Sequence, residues 1–301
     1  MQADNYHVPV LLKEVLDGLN IHPGGIYVDC TFGGGGHSMA ILSHLSSVGR
    51  LIVFDQDEEA RQNLPGDKRI TYVPANFKHL QRFLRLNRIE RVDGILADLG
   101  VSSHQFDEPN RGFSFRYDAF LDMRMDQNQE LTAMQVLQNY PEDRLHKLFE
   151  QYGQVTNAKT LAKAIINSRN ITPLQTIAQF RVMIENLIKG NPNKYLAQVF
   201  QALRIEVNDE MSALKEMLKQ AGTLLLPGGR IAIITFHSLE DRIVKDFFRY
   251  GTFDIQTDHV YGITEKSPYN IITKKPITPS GEEIKKNSRA RSAKLRIAEL
   301  R

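Results

Sequence analysis

The sequence predicts an α/β fold: a doubly wound parallel sheet interrupted by an all-helical insertion. Three observations carry that prediction. Short apolar runs alternate with helical apolar spacings through the first third of the chain. A loop of four consecutive glycines, Gly33 to Gly36, joins one such run to a helix. Strand-like runs then vanish from Leu131 to about Val207 and return at Arg230.

Each element has a local reason. Pro9 stands near a helix start, and Val10, Leu11, Val15 and Leu19 follow at mixed helical spacing until His22-Pro23-Gly24-Gly25 breaks the pattern. Ile26-Tyr27-Val28-Asp29 is β-branched, aromatic and short, as a buried strand is. Met39, Ile41, Leu42 and Leu45 give the helix after the glycines. Leu51 to Asp55 is a second strand, and Glu58 to Leu64 a short helix stopped by Pro65-Gly66. Ile70 to Val73 is a third strand. Leu80, Phe83 and Leu84 mark a helix over 77–86, and Val92 to Asp98 is a fourth strand. Beyond Leu131, stripes such as Leu145/Leu148/Phe149 and Leu196/Val199/Phe200/Leu203 divide into four or five helices at Pro141, Gly153, Pro173 and Pro192. Asp209 to Gln220 is helical, Pro227-Gly228-Gly229 a turn and Arg230 to Thr235 a buried strand. Ser238 then caps a helix to Tyr250, with Asp241 as its capping-box acid. Because the sheet pattern resumes, residues 1–110 and 208–301 are expected to form one domain and 111–207 an inserted helical one.

With 42% apolar and 24% charged residues among 301, the chain has the composition of an ordinary soluble protein. No basic leader precedes an apolar run and no run approaches a membrane span, so a cytoplasmic location is expected. One cysteine, Cys30, excludes a disulfide framework, and the nine histidines form no metal-ligand spacing. No metal is expected.

The glycine loop suits a nucleotide-like ligand. Residues without Cβ admit the ligand close to the backbone, and the following helix presents its N-terminus. The spacing is G-x-G-x-x-S, Ser38 taking the last place. Asp55, about twenty residues on, stands where a ribose-binding carboxylate does. In a parallel sheet, ligands bind beyond the carboxyl ends of the strands, so Asp29, Asp55, Phe77 and Asp98 should share one edge. Arg111-Gly112-Phe113-Ser114-Phe115-Arg116-Tyr117 interleaves arginines with aromatics, a pattern suited to stacking on unpaired bases or to packing on a core. Lys285 to Arg301 holds seven Lys or Arg against one acid, which reads as a phosphate-contacting arm or a solvated tail. His237, at the end of the Arg230 to Thr235 strand, is a candidate proton acceptor or a turn-holding histidine.

These residues resemble the RsmH (MraW) family of S-adenosylmethionine-dependent 16S rRNA cytosine-N4 methyltransferases. The resemblance lies in His7 to Leu12, Val28 to Ser38, Asp98 to Ser103 with Gln105, Arg111 to Arg116, Leu121 to Asp126, Gln201 to Ile205, Phe236 to Arg242 and Arg289 to Arg296. Tyr117-Asp118-Ala119-Phe120 and Asn287-Ser288 depart from the family's usual glycine-proline and asparagine-proline steps. The resemblance implies a class I methyltransferase, Rossmann-like sheet with a helical insertion. It also implies cofactor contacts at Gly35, Gly36, His37, Asp55, Phe77, Asp98 and Gln105, and a target cytosine in the decoding centre near the P site.

The turn from Asp98 through Ser102 and Ser103 is expected to carry the catalytic acceptor, although the acid–Pro–Pro–aromatic tetrapeptide of many amino-methyltransferases is absent. Arg111, Phe113, Phe115, Arg116, Arg289, Arg291 and Lys294 are expected to contact RNA. The resemblance implies 16S rRNA in the small subunit as the partner; no membrane is expected, and a homodimer stays open. A nicotinamide-dependent dehydrogenase would share the glycine loop and Asp55, yet it leaves the basic aromatic segments without a purpose. A non-catalytic assembly factor explains those segments but not the acids on one sheet edge.

Overall fold

The computed structural model describes residues 9–171, 173–253 and 266–301. The chain opens with α1 (Leu12–Leu19), β1 (Ile26–Asp29), α2 (Gly36–His44), β2 (Arg50–Asp55), β3 (Ile70–Pro74), α3 (Leu80–Leu86) and β4 (Val92–Asp98). Helices α4 (Ser103–Asp107), α5 (Ala133–Asn139), α6 (Glu142–Gln151), α7 (Ala158–Arg169), α8 (Ile177–Ile184) and α9 (Pro192–Val207) follow. The sheet resumes through α10 (Glu210–Leu224), β5 (Leu225–Thr235), α11 (Ser238–Tyr250), β6 (Tyr269–Ile271), α12 (Gly281–Lys286) and β7 (Lys294–Leu300). Residues His7 and Val8 of the opening motif, and the Thr172 part of one helix break, lie outside the described residues.

The chain divides into two compact units, Met1–Gly100 with Ser212–Arg301, and Val101–Met211. The first division falls ten residues before the expected 110/111 boundary. Val101 and Phe106 pack against the helical core, which draws 101–110 into the second unit.

In the sheet unit the strand order is β3-β2-β1-β4-β5-β7-β6. β1 to β5 pair in parallel, and β7 runs antiparallel to both β5 and β6. The order reverses between β1 and β4, the crevice where doubly wound sheets take ligands. Alternation explains the apolar strands. Ile52, Phe54, Ile95 and Ile233 face one layer with Leu84 of α3, Leu218 of α10 and Val244 of α11. Leu51, Val53, Leu96 and Ile234 face the opposite core with Val15 of α1 and Ile41 of α2. Both faces are buried, so these strands read as continuous apolar runs rather than alternating ones.

Three local expectations shift. The segment 58–63 is a 3-10 turn, and 77–79 is another that leads into α3. The register of β4 against β5 jumps from Val92↔Leu225 to Gly94↔Arg230, so the Pro227-Gly228-Gly229 turn forms an irregularity inside a longer strand. The cap of α11 is His237 rather than Ser238: its side chain accepts from the Glu240 N–H, and Glu240 reaches back to the cap backbone. An imidazole nitrogen in the acceptor role fills the place usually taken by a hydroxyl or carboxylate.

The C-terminal basic stretch, Lys285 to Arg301, is folded into the sheet unit. Its last part is β7, an inner strand whose Leu295, Ile297 and Ala298 are buried. In the helical unit, Leu145, Phe149, Leu161, Ile165, Phe180, Val199 and Leu203 build one core from the stripes the sequence marks out.

Candidate active site at the carboxyl edge of the sheet

Because β1 to β5 are parallel, the side chains that close them meet on one edge. Asp29, Asp55 and Asp98 end β1, β2 and β4, and Phe77 opens the 3-10 turn after β3. Phe77 is half-buried against the sheet core. These four expected residues all reach that edge.

A local device repeats there. Asp29 Oδ1 accepts from the Thr31 N–H at 3.0 Å, and Asp55 Oδ1 accepts from the Asp57 N–H at 2.8 Å, so each acid bonds two residues ahead and turns the chain off its strand. Asp55 Oδ2 accepts from Gly33 N–H at 2.7 Å, and Asn63 Nδ2 donates to Gly33 O at 2.9 Å. The glycine loop is thus pinned to β2 and its following turn. Gly35 sits at φ +78° and caps α2, a conformation that side chains with Cβ rarely take. A Cβ on Gly36 would stand 2.3 Å from Pro9 Cγ, so this glycine lets the helix start against the N-terminal segment.

The acids are not equivalent. Asp29 is buried and spent: Ser38 Oγ donates to its Oδ2 at 2.7 Å, and Thr31 N–H and Oγ–H engage Oδ1. Thr31 Oγ1 also accepts from Asp98 N–H at 2.7 Å, tying β1 to the end of β4. Asp98 is different. Its Oδ1 is buried with no hydrogen-bond partner, while Oδ2 lies 3.7 Å from His37 Nδ1. His37 Nε2 is 2.9 Å from Val10 O.

Burial pushes the Asp98 carboxyl up to about 6; His37 pulls the other way, and Asp29 and Glu240 add to the rise. Asp55 is also raised to about 6, and there burial outweighs the two backbone N–H donors that favour the anion. Sequence reasoning passed over Thr31, Asn63 and Val10. The D-x-T and D-x-D patterns after β1 and β2 carried the signal for the first.

Several expected residues have other employment. Gln105 and Ser102 form the capping box of α4, Gln105 N–H donating to Ser102 Oγ at 3.1 Å and Ser102 N–H to Gln105 Oε1 at 3.0 Å. Ser103 is the first residue of that helix. Arg111 and Phe113 need correction as RNA-stacking residues. Arg111 is buried, and its Nη2 donates to Arg124 O at 3.0 Å and Met125 O at 3.2 Å. Phe113 is buried in the helical core, and Phe115 packs edge-on to Phe200 at 5.5 Å. Arg116 and Tyr117 alone of that run's basic and aromatic side chains are exposed.

Within the sheet unit, Arg291 is exposed and Arg289 half-buried, whereas Lys294 Nζ donates to Asp241 Oδ2 at 3.3 Å beside the Arg296–Asp241 pair. His237 is a cap rather than a free base: Nδ1 accepts from Glu240 N–H, so Nε2 carries the proton, 3.2 Å from Glu240 Oε1. No helix among the described residues is long and apolar enough to cross a membrane.

Comparison with known proteins adds a lineage. The chain is 52% identical over 295 residues to ribosomal RNA small subunit methyltransferase H of Bacteroides thetaiotaomicron, spanning 98% of this chain and 97% of the relative. A protein of the same name from Cytophaga hutchinsonii is 52% identical over 299 residues, with 98% and 99% spanned. Among solved structures, TrmN from Thermus thermophilus matches at TM-score 0.44 and 14% identity, over 97% of this chain and 48% of its own. An rRNA methylase from Streptococcus thermophilus matches at TM-score 0.41 and 12% identity, over 98% of both chains. The sequence model of the MraW methylase family matches residues 4–301, and the chain belongs to that family.

Proposed function

We propose that this protein transfers a methyl group from S-adenosylmethionine to the exocyclic N4 of a cytosine in the decoding centre of 16S rRNA, near the P site. One observation carries the reading: a glycine loop and three strand-end acids meet at the sheet's switch point, and one of those acids keeps an unpartnered oxygen. The names of the curated relatives support rRNA of the small subunit as the substrate.

The site fits the cofactor's chemistry. The buried Oδ1 of Asp98 lacks a donor, which an ammonium or amino group supplies. Asp55 retains acceptor capacity beside its two N–H bonds, as a ribose diol needs. Gly35, Gly36, His37 and Phe77 would complete the holding set. When bound, the sulfonium supplies an already activated methyl group, leaving the protein to position and to handle a proton.

The cytosine amine is a poor nucleophile because its lone pair is delocalised into the ring. An acceptor on its N–H localises that pair and stabilises the charge that develops. Asp98 fills this role at the edge of the sheet, and Ser102 and Ser103 follow it in the chain as further candidates. The base must be unstacked to enter, and the exposed Arg116 and Arg291 offer charge for its flanking phosphates.

The test is tritiated methyl transfer to isolated small subunits followed by nucleoside analysis. Label on N4-methylcytidine is the expected result. Label on a ring carbon or on protein refutes the N4 assignment, and the absence of any heat on titrating S-adenosylmethionine favours an assembly factor.

A further inference from the structure

We infer that His37 is the final acceptor of the proton that the target amine sheds, received through Asp98. This rests on the methyl-transfer reading above and adds a role for a side chain of the glycine loop.

The ring is oriented by its far nitrogen. Val10 O can only accept, so His37 Nε2, 2.9 Å away, carries the hydrogen. The neutral ring then turns the Nδ1 lone pair toward Asp98 Oδ2, at 3.7 Å. A lone pair thus faces a carboxylate oxygen across a gap that one proton would close. The side chain of His37 is 7% exposed and that of Asp98 is 25% exposed, so the proton's destination is sheltered while its entry point is open. Oδ1 is buried, which leaves Oδ2 as the oxygen that both meets the amine and faces the ring.

Acidic groups flank the pair. Three charged or titratable groups bear on Asp98: His37 from α2, Asp29 from β1 and Glu240 from α11. Asp29 is engaged by Thr31 and Ser38, and Glu240 Oε2 accepts from the Phe236 and His237 N–H groups at 2.8 and 3.3 Å. Both acids contribute negative potential without offering Asp98 a proton. Burial lifts the Asp98 carboxyl to about 6, which suits a group that takes a proton near neutrality and passes it on.

The step balances. The amine lone pair forms the N–C bond, the S–C bond breaks with its electron pair going to sulfur, and one amine proton moves to Oδ2. That proton continues to Nδ1, which leaves an imidazolium–carboxylate pair that solvent discharges. The gap must close by about an ångström for the relay, a tightening common between free and substrate-bound sites.

Imidazole nitrogen NMR on the cofactor-free protein tests the ring directly. The expected spectrum shows His37 as the Nε2–H tautomer, with an Nδ1 resonance that shifts in Asp98→Asn. An Nδ1–H tautomer, or an Nδ1 resonance indifferent to Asp98→Asn, overturns the relay. Kinetics give a second arm. His37→Gln keeps an amide donor for Val10 O, so the loop should stay in place and kcat at saturating S-adenosylmethionine should fall about 10–100-fold, whatever the change in cofactor affinity. The acid limb of its pH profile should move to higher pH, because the His37 interaction that pulls the Asp98 carboxyl down is gone, and added imidazole should restore part of the rate. Unchanged kcat and acid limb in a variant that still binds cofactor defeat the relay alone. Wild-type protein that labels no cytosine defeats the methyl-transfer reading instead.

Discussion

The carboxyl edge of the sheet and the Arg111–Tyr117 segment of the helical unit are both rich in polar side chains, and they use them oppositely. At the sheet edge Asp98 keeps Oδ1 unpartnered. In the segment, the Arg111 guanidinium donates to two carbonyls of the Leu121–Asp126 turn, and Phe113 fills the core beneath it. That turn is itself held by Asn208, which accepts from Met125 N–H at 2.7 Å and donates to Met123 O at 2.8 Å. Polarity alone therefore does not mark function. A buried polar group whose valences are filled belongs to the architecture, and one left wanting is available to a ligand.

The largest effect expected is at Asp98. Asp98→Asn should lower methyl transfer by at least about a hundredfold, since it removes the acceptor on the amine. It should also stabilise the cofactor-free protein at neutral pH, by about 1–2 kcal/mol in urea unfolding. The sign follows from the raised carboxyl. A folded value near 6 exceeds the unfolded value of 3.8, so the native state holds the extra proton and its stabilising contribution is complete below the unfolded value. That contribution fades as pH rises through about 6, and the asparagine never carries the cost. Asp55, raised to about 6 as well, puts a second loss in the same window. A variant less stable than wild type at pH 7 would break the contrast between the two regions.

Arg111→Met probes the other side. It should cost about 2–4 kcal/mol of stability, because two buried carbonyls lose a charged donor. Urea unfolding measures this. Unaltered stability with weakened rRNA binding would return Arg111 to the RNA-facing set.

The two regions also differ in how much the sequence discloses. A parallel strand has its direction fixed by its apolar run, so an acid closing the run must emerge at the carboxyl edge. Asp29, Asp55 and Asp98 were legible for that reason. Which of them is spent was not, because the answer lies with Thr31 and Ser38, whose hydroxyls reach Asp29 rather than Asp98 only in three dimensions. In 111–117 no period exists to separate inward from outward side chains, and the arginine–aromatic alternation fits either face.

Strand β7 escaped notice for a further reason. The basic residues of 285–301 suggest solvent, but Arg296 is buried against Asp241 and Glu299 pairs with Arg230 on the neighbouring strand. Cross-strand ion pairing masks an inner strand as a charged tail.

Arg116→Ala gives a smaller effect that sharpens the division inside the segment. Its side chain is exposed, so stability should stay within about 0.5 kcal/mol of wild type. Affinity for small-subunit rRNA should fall about threefold to tenfold, with the salt dependence of binding reduced by about one counterion. Filter binding over a series of salt concentrations reads both. A loss of stability as large as that expected for Arg111→Met would show that exposure does not separate the two arginines.

The smallest effect is expected at His237, which sits at the same sheet edge as Asp98 and serves as the cap of α11, although its buried Nε2 has no hydrogen-bond partner. Its Nδ1 accepts from Glu240 N–H at 3.4 Å, and its Nε2 faces Glu240 Oε1 at 3.2 Å. Asparagine is among the best residues at a helix N-cap, and its Oδ1 can take the same N–H. His237→Asn should therefore leave stability within about 0.5 kcal/mol and methyl transfer within about twofold. Ser238→Ala, one residue on, should be equally silent because the hydroxyl is not the cap. If His237→Asn instead abolished transfer with cofactor binding intact, the unpartnered Nε2 of the capping histidine, and not only Asp98 Oδ1, would belong to the chemistry of this edge.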